Sequence, residues 1–457
     1  MSAAPVVSTP ADYLYSKHVN PQWVRLLNLL RMNERYTRCA GVELFTEGGR
    51  RILDYLSGYC VHNTGHNHPA VVEALERELA ASGPGMLQSH VPELAGELAE
   101  RLTRRAGGRL NRAFFCSSGS EGVEAAIKFA RAHTRRTGLL YGEGAFHGLT
   151  CGALSLMCDR FWSDGFGPML PETQAVPVGQ VRNLAVLEKH LATKKFAAFI
   201  VEPVQSEAGI RVFDAEYLRG AQELCRRYGT LLVLDEVQTG LYRTGEFLAA
   251  HLYSLDPDMV VLAKALSGGL VPVGALLMTD AVCNSVYSSL KRAIVHTSTF
   301  SENALAMRAG LATLDVLERE HLGERALVLG AELRRRLREA LAPFEMVRDV
   351  RGLGMLSGIE FAAPRSLRLR IAFESFRRIH AGMFGQVLVM RLFRDHGILT
   401  QICGNDFMVL KVAPPLVVSE PQLDDAVSAI RSVVELAHTS TSFWSEALRL
   451  ARRAVNI

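Results

Sequence analysis

The stretch TLLVLDEVQTG (230–240) decides the fold, because four consecutive apolar residues run directly into two carboxylates. A continuous apolar run of this length is typical of a strand buried on both faces of a parallel sheet. From residue 113 onwards such runs alternate with segments of helical periodicity. The other runs are AFFC (113–116), GLLYGEG (138–144), FAAFIVEPV (196–204) and PDMVVLAKAL (257–266). This alternation predicts a mostly parallel, doubly wound α/β sheet.

The segments around these strands complete an α/β architecture. Amphipathic helices are predicted over 68–83, 92–108, 121–136, 215–229 and 304–320, with a further helical stretch after residue 237. A hairpin is predicted over 42–66, and two later strands over 346–361 and 407–418. We expect an N-terminal arm with part of a small domain (1–70), a large domain (71–335) and a C-terminal small domain (336–457).

Composition is that of an ordinary globular protein and argues against several function classes. The 457 residues are 48% apolar, and their net charge of +4 gives no support for nucleic-acid binding. None of the eight cysteines forms a C-x-x-C pair or a zinc-like cluster, so no metal site is expected. Residues 1–20 lack a signal-peptide pattern, and there is no run of about 18 apolar residues to span a bilayer. We therefore expect a cytoplasmic protein with reduced thiols.

Polar residues follow several of these strands, at the edge where open α/β sheets bind ligands. SSGSEG (117–122) leads into a helix N-terminus that suits a phosphate, although a plain helix cap accounts for the pattern as well. Asp235 could hold a cationic ring nitrogen, a metal or a ribose, or simply cap a helix. Glu202, Gln205 and Glu207 follow the strand FAAFIV.

Lys264 follows the strand MVVL in an apolar setting. Burial disfavours the ammonium form, so the lysine pKa falls and a nucleophilic amine is freed, as Schiff-base formation with an aldehyde requires. A lone lysine at a strand end is more often a surface residue. Together, however, a phosphate cradle, a buried acid and an activated lysine match pyridoxal 5′-phosphate, which carries a phosphate, a pyridinium nitrogen and an aldehyde.

With these pieces assembled, the sequence resembles the class III (ornithine, acetylornithine, GABA and putrescine) aminotransferases of pyridoxal-phosphate fold type I, over roughly residues 40–435. The motifs in the family's order and spacing are SSGSEGVEAAIKFAR, GAFHG, VEPVQSEAG, LVLDEVQTGLYRTG, LAKALSGG, VPVGA, HTSTF and GLGMLSGIEF. The resemblance implies an α/β fold whose large domain has a mostly parallel sheet of the seven-stranded type, with a smaller α/β domain from the N- and C-terminal segments. It also implies pyridoxal 5′-phosphate as cofactor, small amine and carbonyl substrates, and a homodimer with shared active sites.

The resemblance further implies a role for each matched residue. Lys264 would form the Schiff base with the cofactor and later move the proton, while Asp235 would keep the pyridine nitrogen protonated. Phe146 and Val237 would pack on the two ring faces. The other expected contacts are Gly119 and Ser120 at the phosphate, His147 and Glu202 near the ring, Gln238 at the 3′ oxygen, Glu207 at the mouth, and Thr299 at the phosphate of the neighbouring subunit.

Two departures from the family pattern bear on the substrate. Where the family usually has GGNP after the Thr-Phe pair, this chain reads SENAL (301–305), which brings Glu302 towards the pocket or the dimer partner. Lys411 stands where the family has the arginine that binds an α-carboxylate. Arginine offers two parallel donors to a carboxylate, whereas lysine offers one compact charge. Either Lys411 binds carboxylate less well, or the main substrate has no α-carboxylate there.

Glu207 would pair with Lys411 as it pairs with the family's arginine, which would explain how an interior lysine is tolerated. The pocket would then be comparatively neutral, so we predict transamination with a diamine, an ω-amine or a long-chain carbonyl compound as main substrate. The alternatives are an ordinary amino-acid transaminase that uses Lys411 for the carboxylate, a same-fold aminomutase, racemase or decarboxylating transaminase, and a non-catalytic protein of this fold.

Two basic segments lie near the C-terminus. The segment 364–386 holds five arginines interleaved with apolar residues, and it is longer than the connection usual in the family. It predicts an amphipathic helix with a solvated basic face, and the other reading is a docking surface for an acidic carrier protein. The tail SFWSEALRLARRAVNI (442–457) predicts a packed terminal helix.

Overall fold

The computed structural model describes residues 10–87, 89–379 and 383–455. The strands within these ranges are β1 (Tyr36–Ala40), β2 (Glu43–Thr46), β3 (Arg51–Asp54), β4 (Arg112–Cys116), β5 (Gly138–Gly142), β6 (Thr173–Val176), β7 (Phe196–Val201), β8 (Val204–Gln205), β9 (Arg211–Val212), β10 (Leu231–Asp235), β11 (Met259–Leu262), β12 (Gly274–Met278), β13 (Val347–Leu353), β14 (Leu356–Phe361), β15 (Ile398–Leu399), β16 (Gln401–Cys403) and β17 (Asp406–Val412).

The helices within the same ranges are α1 (Pro10–His18), α2 (Pro21–Leu30), α3 (Ser57–Cys60), α4 (Pro69–Ala80), α5 (Glu93–Ala106), α6 (Gly119–Thr134), α7 (Cys151–Leu154), α8 (Arg160–Ser163), α9 (Leu184–Leu191), α10 (Ala215–Tyr228), α11 (Ala249–Leu252), α12 (Asp280–Val286), α13 (Ala304–Arg319), α14 (Leu322–Leu341), α15 (Leu367–Ile379), α16 (Met383–His396), α17 (Glu420–Thr439) and α18 (Thr441–Val455). Short 3₁₀ turns are Val181–Asn183, Lys264–Ser267 and Leu290–Arg292. Residues 1–9 of the predicted arm, 380–382 of the basic segment and 456–457 of the tail lie outside the described residues.

The central sheet has seven strands in the order β4-β12-β11-β10-β7-β5-β6. Only β12 runs against the others, since it pairs antiparallel with both β11 and β4, whereas β10 pairs parallel with β7 and β11. This confirms the predicted mostly parallel α/β sheet, and it makes β4, β5, β7, β10 and β11 end at the same edge.

The opening apolar run is continuous because both faces of β10 are covered. Leu231 and Val233 belong to one hydrophobic cluster, together with Val123 and Phe129 of α6. Leu232 and Leu234 face a second cluster, which includes residues of α10 and α13. Burial of one such side chain contributes about 1.5–3 kcal/mol, so an alternating polar residue in this strand would be costly.

The helical stretch predicted after residue 237 is wrong. Residues 236–248 form turns, and only the four-residue α11 follows before β11. Leu241 and Tyr242 adopt positive φ angles of 53° and 67°, which a helix does not tolerate. The buried Glu236 carboxylate accepts the backbone N–H groups at the start of α11 instead.

The N- and C-terminal segments meet in the smaller sheets, as expected for the smaller α/β domain. The predicted hairpin is β2 and β3, and β15 pairs in parallel with β3. A second four-stranded sheet has the order β13-β14-β17-β16 and contains both strands predicted near the C-terminus. The domain boundaries at residues 70 and 335 stay a prediction.

The basic segment forms an amphipathic helix, α15, as predicted. Phe373 and Phe376 are buried, and the exposed positions hold Arg365, Arg368, Arg370, Arg377 and Arg378. The tail forms α18, which buries Phe443 and Trp444 against this region. Across the part of the chain that the structure describes, every helix is too short or too polar to cross a membrane.

Candidate active site

The carboxyl ends of β4, β5, β7, β10 and β11 open into one cavity of about 460 Å³. Of the ten residues predicted to contact a cofactor, nine line it: Gly119, Ser120, Phe146, His147, Glu202, Asp235, Val237, Gln238 and Lys264. Thr299 lies elsewhere and lines a second cavity of about 1240 Å³, together with Glu302. The sequence motifs therefore converge at the edge where sheets of this kind bind ligands.

Asp235 is the last residue of β10, and both its oxygens have partners. Its Oδ2 lies 2.8 Å from Nδ1 of His147, and its Oδ1 accepts the Val237 backbone N–H at 3.1 Å. Because a carboxylate can only accept, Nδ1 of His147 carries the proton of this bond. The imidazole thereby fixes the orientation of the carboxylate, as the outer partners of catalytic groups commonly do.

Lys264 begins the short turn after β11 with a φ of 46°. A positive φ is uncommon for a residue with a side chain, and such strain concentrates at functional sites. Burial lowers the pKa of the Lys264 ammonium from its ordinary value, and the Asp235 carboxylate only partly opposes this. The amine therefore loses its proton more readily than that of a surface lysine.

Glu202 follows β7 and lies deep in the same cavity. Burial, and then the negative charge of Asp235, raise the pKa of its carboxyl well above the ordinary value. The protonated form is favoured, so Glu202 can donate a hydrogen bond in a place where an ionised carboxylate could only accept.

The cavity fits pyridoxal phosphate in its donor set and its shape. His147 Nε2, Glu202 Oε2 and Gln238 Oε1 are buried without a hydrogen-bond partner among the described residues, which costs about 1–3 kcal/mol for each unless a ligand meets them. The first turn of α6 leaves backbone N–H groups free for an anion. A Cβ at Gly119 would lie 2.9 Å from a Val237 methyl, so only glycine lets this turn approach.

Glu207 and Lys411 form a buried pair beside Gln238. The Lys411 ammonium donates to Oε1 of Glu207, which also accepts from Gln238 Nε2 at 3.1 Å. Oε2 of Glu207 accepts the Gly404 N–H at 2.8 Å. Burial opposes both charges, yet Lys411 holds the pKa of the Glu207 carboxyl below its ordinary value and Glu207 raises the pKa of Lys411.

Sequence reasoning missed several residues around this pair. The ring of Tyr59 lies below the Lys411 ammonium, 5.2 Å from Nζ to the ring centroid. Trp162 and Asn405 are joined by a hydrogen bond of 2.8 Å although they lie far apart in the chain. Two features of the sequence could have pointed to Trp162 and Asn405. The chain has only three tryptophans, and the GN pair before β17 is typical of a turn.

The sequence and the fold of this chain are similar to those of known aminotransferases. The family described as Aminotransferase class-III matches residues 29–434. The Aminotransferase PigE of Serratia sp. (strain ATCC 39006) is 34% identical in a 452-residue alignment that covers 92% of this chain and 53% of that protein. The chain thus spans about half the length of that relative.

Two solved structures resemble the fold over nearly their whole length. The ornithine aminotransferase of Toxoplasma gondii is 28% identical with a TM-score of 0.81, covering 95% of this chain and 96% of its own. An amine transaminase from an uncultivated Pseudomonas species, in a form with bound pyridoxal phosphate, is 27% identical with a TM-score of 0.79, covering 88% and 95%.

Proposed function

The chain belongs to the class III aminotransferases, and on that premise we propose that its main substrate carries no α-carboxylate on the reacting carbon. Transamination moves an amino group between an amine donor and an aldehyde, ketone or keto acid. The observation that carries the proposal is the buried Lys411, whose one charge is already matched by Glu207. Diamines, ω-amines and long-chain aldehydes or ketones are the substrate classes that fit such a site.

The cofactor is pyridoxal 5′-phosphate, which supplies an aldehyde that bonds amines reversibly and a ring that withdraws electrons. Lys264 would bind the aldehyde, and its lowered pKa would let the free Nζ accept a proton from the reacting carbon of the donor. Asp235, oriented by His147, keeps a positive charge on the ring nitrogen. Glu202 adds a protonated carboxyl near the ring.

The other residues of the cavity bind and orient the cofactor. Val237 and Phe146 would pack on the two faces of the ring, and Gln238 would reach its 3′ oxygen. Gly119 and Ser120 at the start of α6 hold the phosphate through backbone N–H groups and the helix dipole. The placement of these side chains around one cavity supports this assignment.

The Glu207–Lys411 pair argues against an α-carboxylate ligand on energetic grounds. Freeing Lys411 would break its bond to Glu207, and turning the Glu207 side chain aside would also break the bonds from Gln238 and Gly404. Each hydrogen bond to a charged group contributes about 1.5–3 kcal/mol, and a substrate carboxylate on one ammonium regains only one of them. The alternative, an amino-acid transaminase that uses Lys411, therefore starts at a disadvantage.

The proposed function includes a homodimer whose two subunits share their active sites. Thr299 lines the second cavity, and the neighbouring Leu290, Ile294 and Phe300 are 96%, 81% and 62% exposed. Contiguous exposed apolar side chains of this kind mark protein interfaces. A second copy that covers this surface would receive Thr299 near its phosphate.

The exposed arginines of α15 form a basic surface to which a further partner would bind. An acidic carrier protein would meet four positive side chains on this helix and Arg365 just before it. Retention of the enzyme on an immobilised acidic carrier protein that falls steeply with salt would support such docking, and retention equal to that of a variant with Arg368 and Arg370 replaced by Gln would oppose it.

A donor–acceptor screen tests the proposed function. Purified protein with cofactor is mixed with diamines, ω-amino acids, α-amino acids and long-chain aldehydes, and loss of the cofactor's visible absorbance reports each half-reaction. Amines without an α-carboxylate should react fastest, and the visible band should be missing in Lys264→Ala. Fastest reaction with glutamate or another α-amino acid would refute the proposal.

A further inference from the structure

Trp162 on the short helix α8 contacts Phe146, a wall of the cofactor cavity, and Asn405, whose backbone binds Glu207, through different atoms. Its ring meets Phe146 edge to face, with centroids 5.2 Å apart and an interplanar angle of 80°. Its Nε1 donates to Oδ1 of Asn405 at 2.8 Å. Phe146 lines the cofactor cavity, so one face of this tryptophan lies directly behind a wall of the active site.

Asn405 lies in the turn between β16 and β17 and joins three segments of the chain. Its Nδ2 donates to the carbonyl of Gly144 at 3.0 Å, and its backbone N–H donates to the carbonyl of Glu207 at 2.9 Å. The preceding Gly404 donates its own N–H to Oε2 of Glu207 at 2.8 Å. The turn therefore holds the backbone and the side chain of Glu207 together.

The turn at Gly404 packs closely against both Glu207 and Trp162. A Cβ on Gly404 would lie 3.1 Å from Oε2 of Glu207 and 3.3 Å from Cζ2 of Trp162. Both distances are tighter than ordinary side-chain contacts, so a larger residue at Gly404 would push either Glu207 or the indole. Movement of the Glu207 side chain away from Lys411 breaks the bond from the Gly404 N–H, which belongs to the turn that the Trp162–Asn405 bond anchors.

We propose that Trp162 and Asn405 are positioning residues that lock Glu207 onto Lys411 and so set the preference for substrates without an α-carboxylate. The inference rests on the proposed function and extends it from the pair to the contacts that hold the pair closed. A donor with a carboxylate binds only if Glu207 turns aside, which breaks the Gly404 contact that the bond between Trp162 and Asn405 holds in place. A donor that brings no carboxylate leaves the bond intact.

The test compares Trp162→Phe and Asn405→Ala with wild type and with Trp23→Phe, an exposed tryptophan on α2. Trp162→Phe keeps a ring beside Phe146 but loses the N–H donor. In both test variants KM for an α-amino acid should fall about tenfold relative to KM for the amine that lacks the carboxylate, as expected for loss of one hydrogen bond. Trp23→Phe should leave that ratio unchanged.

A binding readout makes the result independent of turnover. Propionate, a carboxylate without an amine, is titrated into the holoenzyme while tryptophan fluorescence is followed. The fluorescence change seen in wild type should persist in Trp23→Phe and be absent in Trp162→Phe, and propionate should bind about tenfold tighter to Asn405→Ala. Unchanged KM ratios in both test variants and an unchanged propionate affinity in Asn405→Ala, with unchanged thermal midpoints, would overturn the inference.

The two claims fail separately. If wild type itself prefers α-amino acids, the proposed function is refuted, yet the variants still show whether the Trp162–Asn405 bond controls carboxylate affinity. If wild type rejects them and the variants do so equally, the proposed function stands and the positioning role is refuted.

Discussion

The ammonium of Lys411 is bonded to the carboxylate of Glu207, and both side chains are buried. A lysine is rarely buried without a partner, and this one lies on β17 among apolar neighbours. The pairing explains how a single cation is tolerated within an apolar strand. On the proposed function, the pair occupies the place where the family holds an α-carboxylate.

Lys411→Met alone should destabilise the protein strongly, because it leaves the Glu207 carboxylate buried without a counter-charge. Removing one partner of a buried pair costs about 3–5 kcal/mol. The double variant Lys411→Met/Glu207→Gln should regain most of that loss, since no charge then stays unmatched. Urea unfolding of the three proteins measures this, and a single variant as stable as wild type would contradict the burial of the pair.

The contribution of the pair to the free energy of unfolding should be lost in strong acid and in strong base. The depressed pKa of Glu207 means that its stabilisation is complete above the unfolded value of about 4.3 and is lost as pH falls through the folded value. The raised pKa of Lys411 means that its part is complete below about 10.4 and is lost as pH rises through the folded value.

The difference in urea midpoint between wild type and Lys411→Met/Glu207→Gln should therefore be constant from about pH 5 to pH 10. The difference should change in favour of the double variant only in stronger acid or stronger base. Carboxylates elsewhere in the chain are common to both proteins and cancel in the difference. A difference that changes between pH 6 and pH 8 would show that other groups control it.

Asp235→Ala should lower turnover by at least about a hundredfold while leaving the fold intact, because the ring nitrogen loses the charge that keeps it protonated. The matched control is Asp280→Ala, an acid at a surface helix terminus. Single-turnover kinetics with an amine donor measure the effect, and circular dichroism checks the fold. Turnover near wild type would remove Asp235 from its assigned role.

Much of this site could be predicted because its residues end apolar strands. Asp235 and Lys264 stand directly after runs that bury both strand faces, so the sheet itself brings them to one edge. Trp162 and Asn405 could not be predicted, because their contact joins positions 243 residues apart and neither belongs to a periodic pattern. The turns after Glu236 were not predicted for a different reason. Residues other than glycine that adopt a positive φ angle have no clear sequence signature.

Thr299→Ala should weaken cofactor retention, since the side chain is expected to reach the phosphate of the neighbouring subunit. Thr297→Ala is the control, because it lies in the same exposed segment two residues away. Dialysis against buffer without cofactor, followed by absorbance, compares the rates of loss. Equal retention in the two variants would count against the shared site.

The most direct test of the central claim uses two donors that differ only by the α-carboxylate: a straight-chain primary amine and the α-amino acid with the same side chain. kcat/KM is measured for both with wild type and with Lys411→Arg. The amine should be preferred by wild type, and Lys411→Arg should move the ratio towards the amino acid by about tenfold or more, because arginine offers the carboxylate two donors. A wild-type preference for the amino acid, or a ratio that Lys411→Arg leaves unchanged, would contradict the claim.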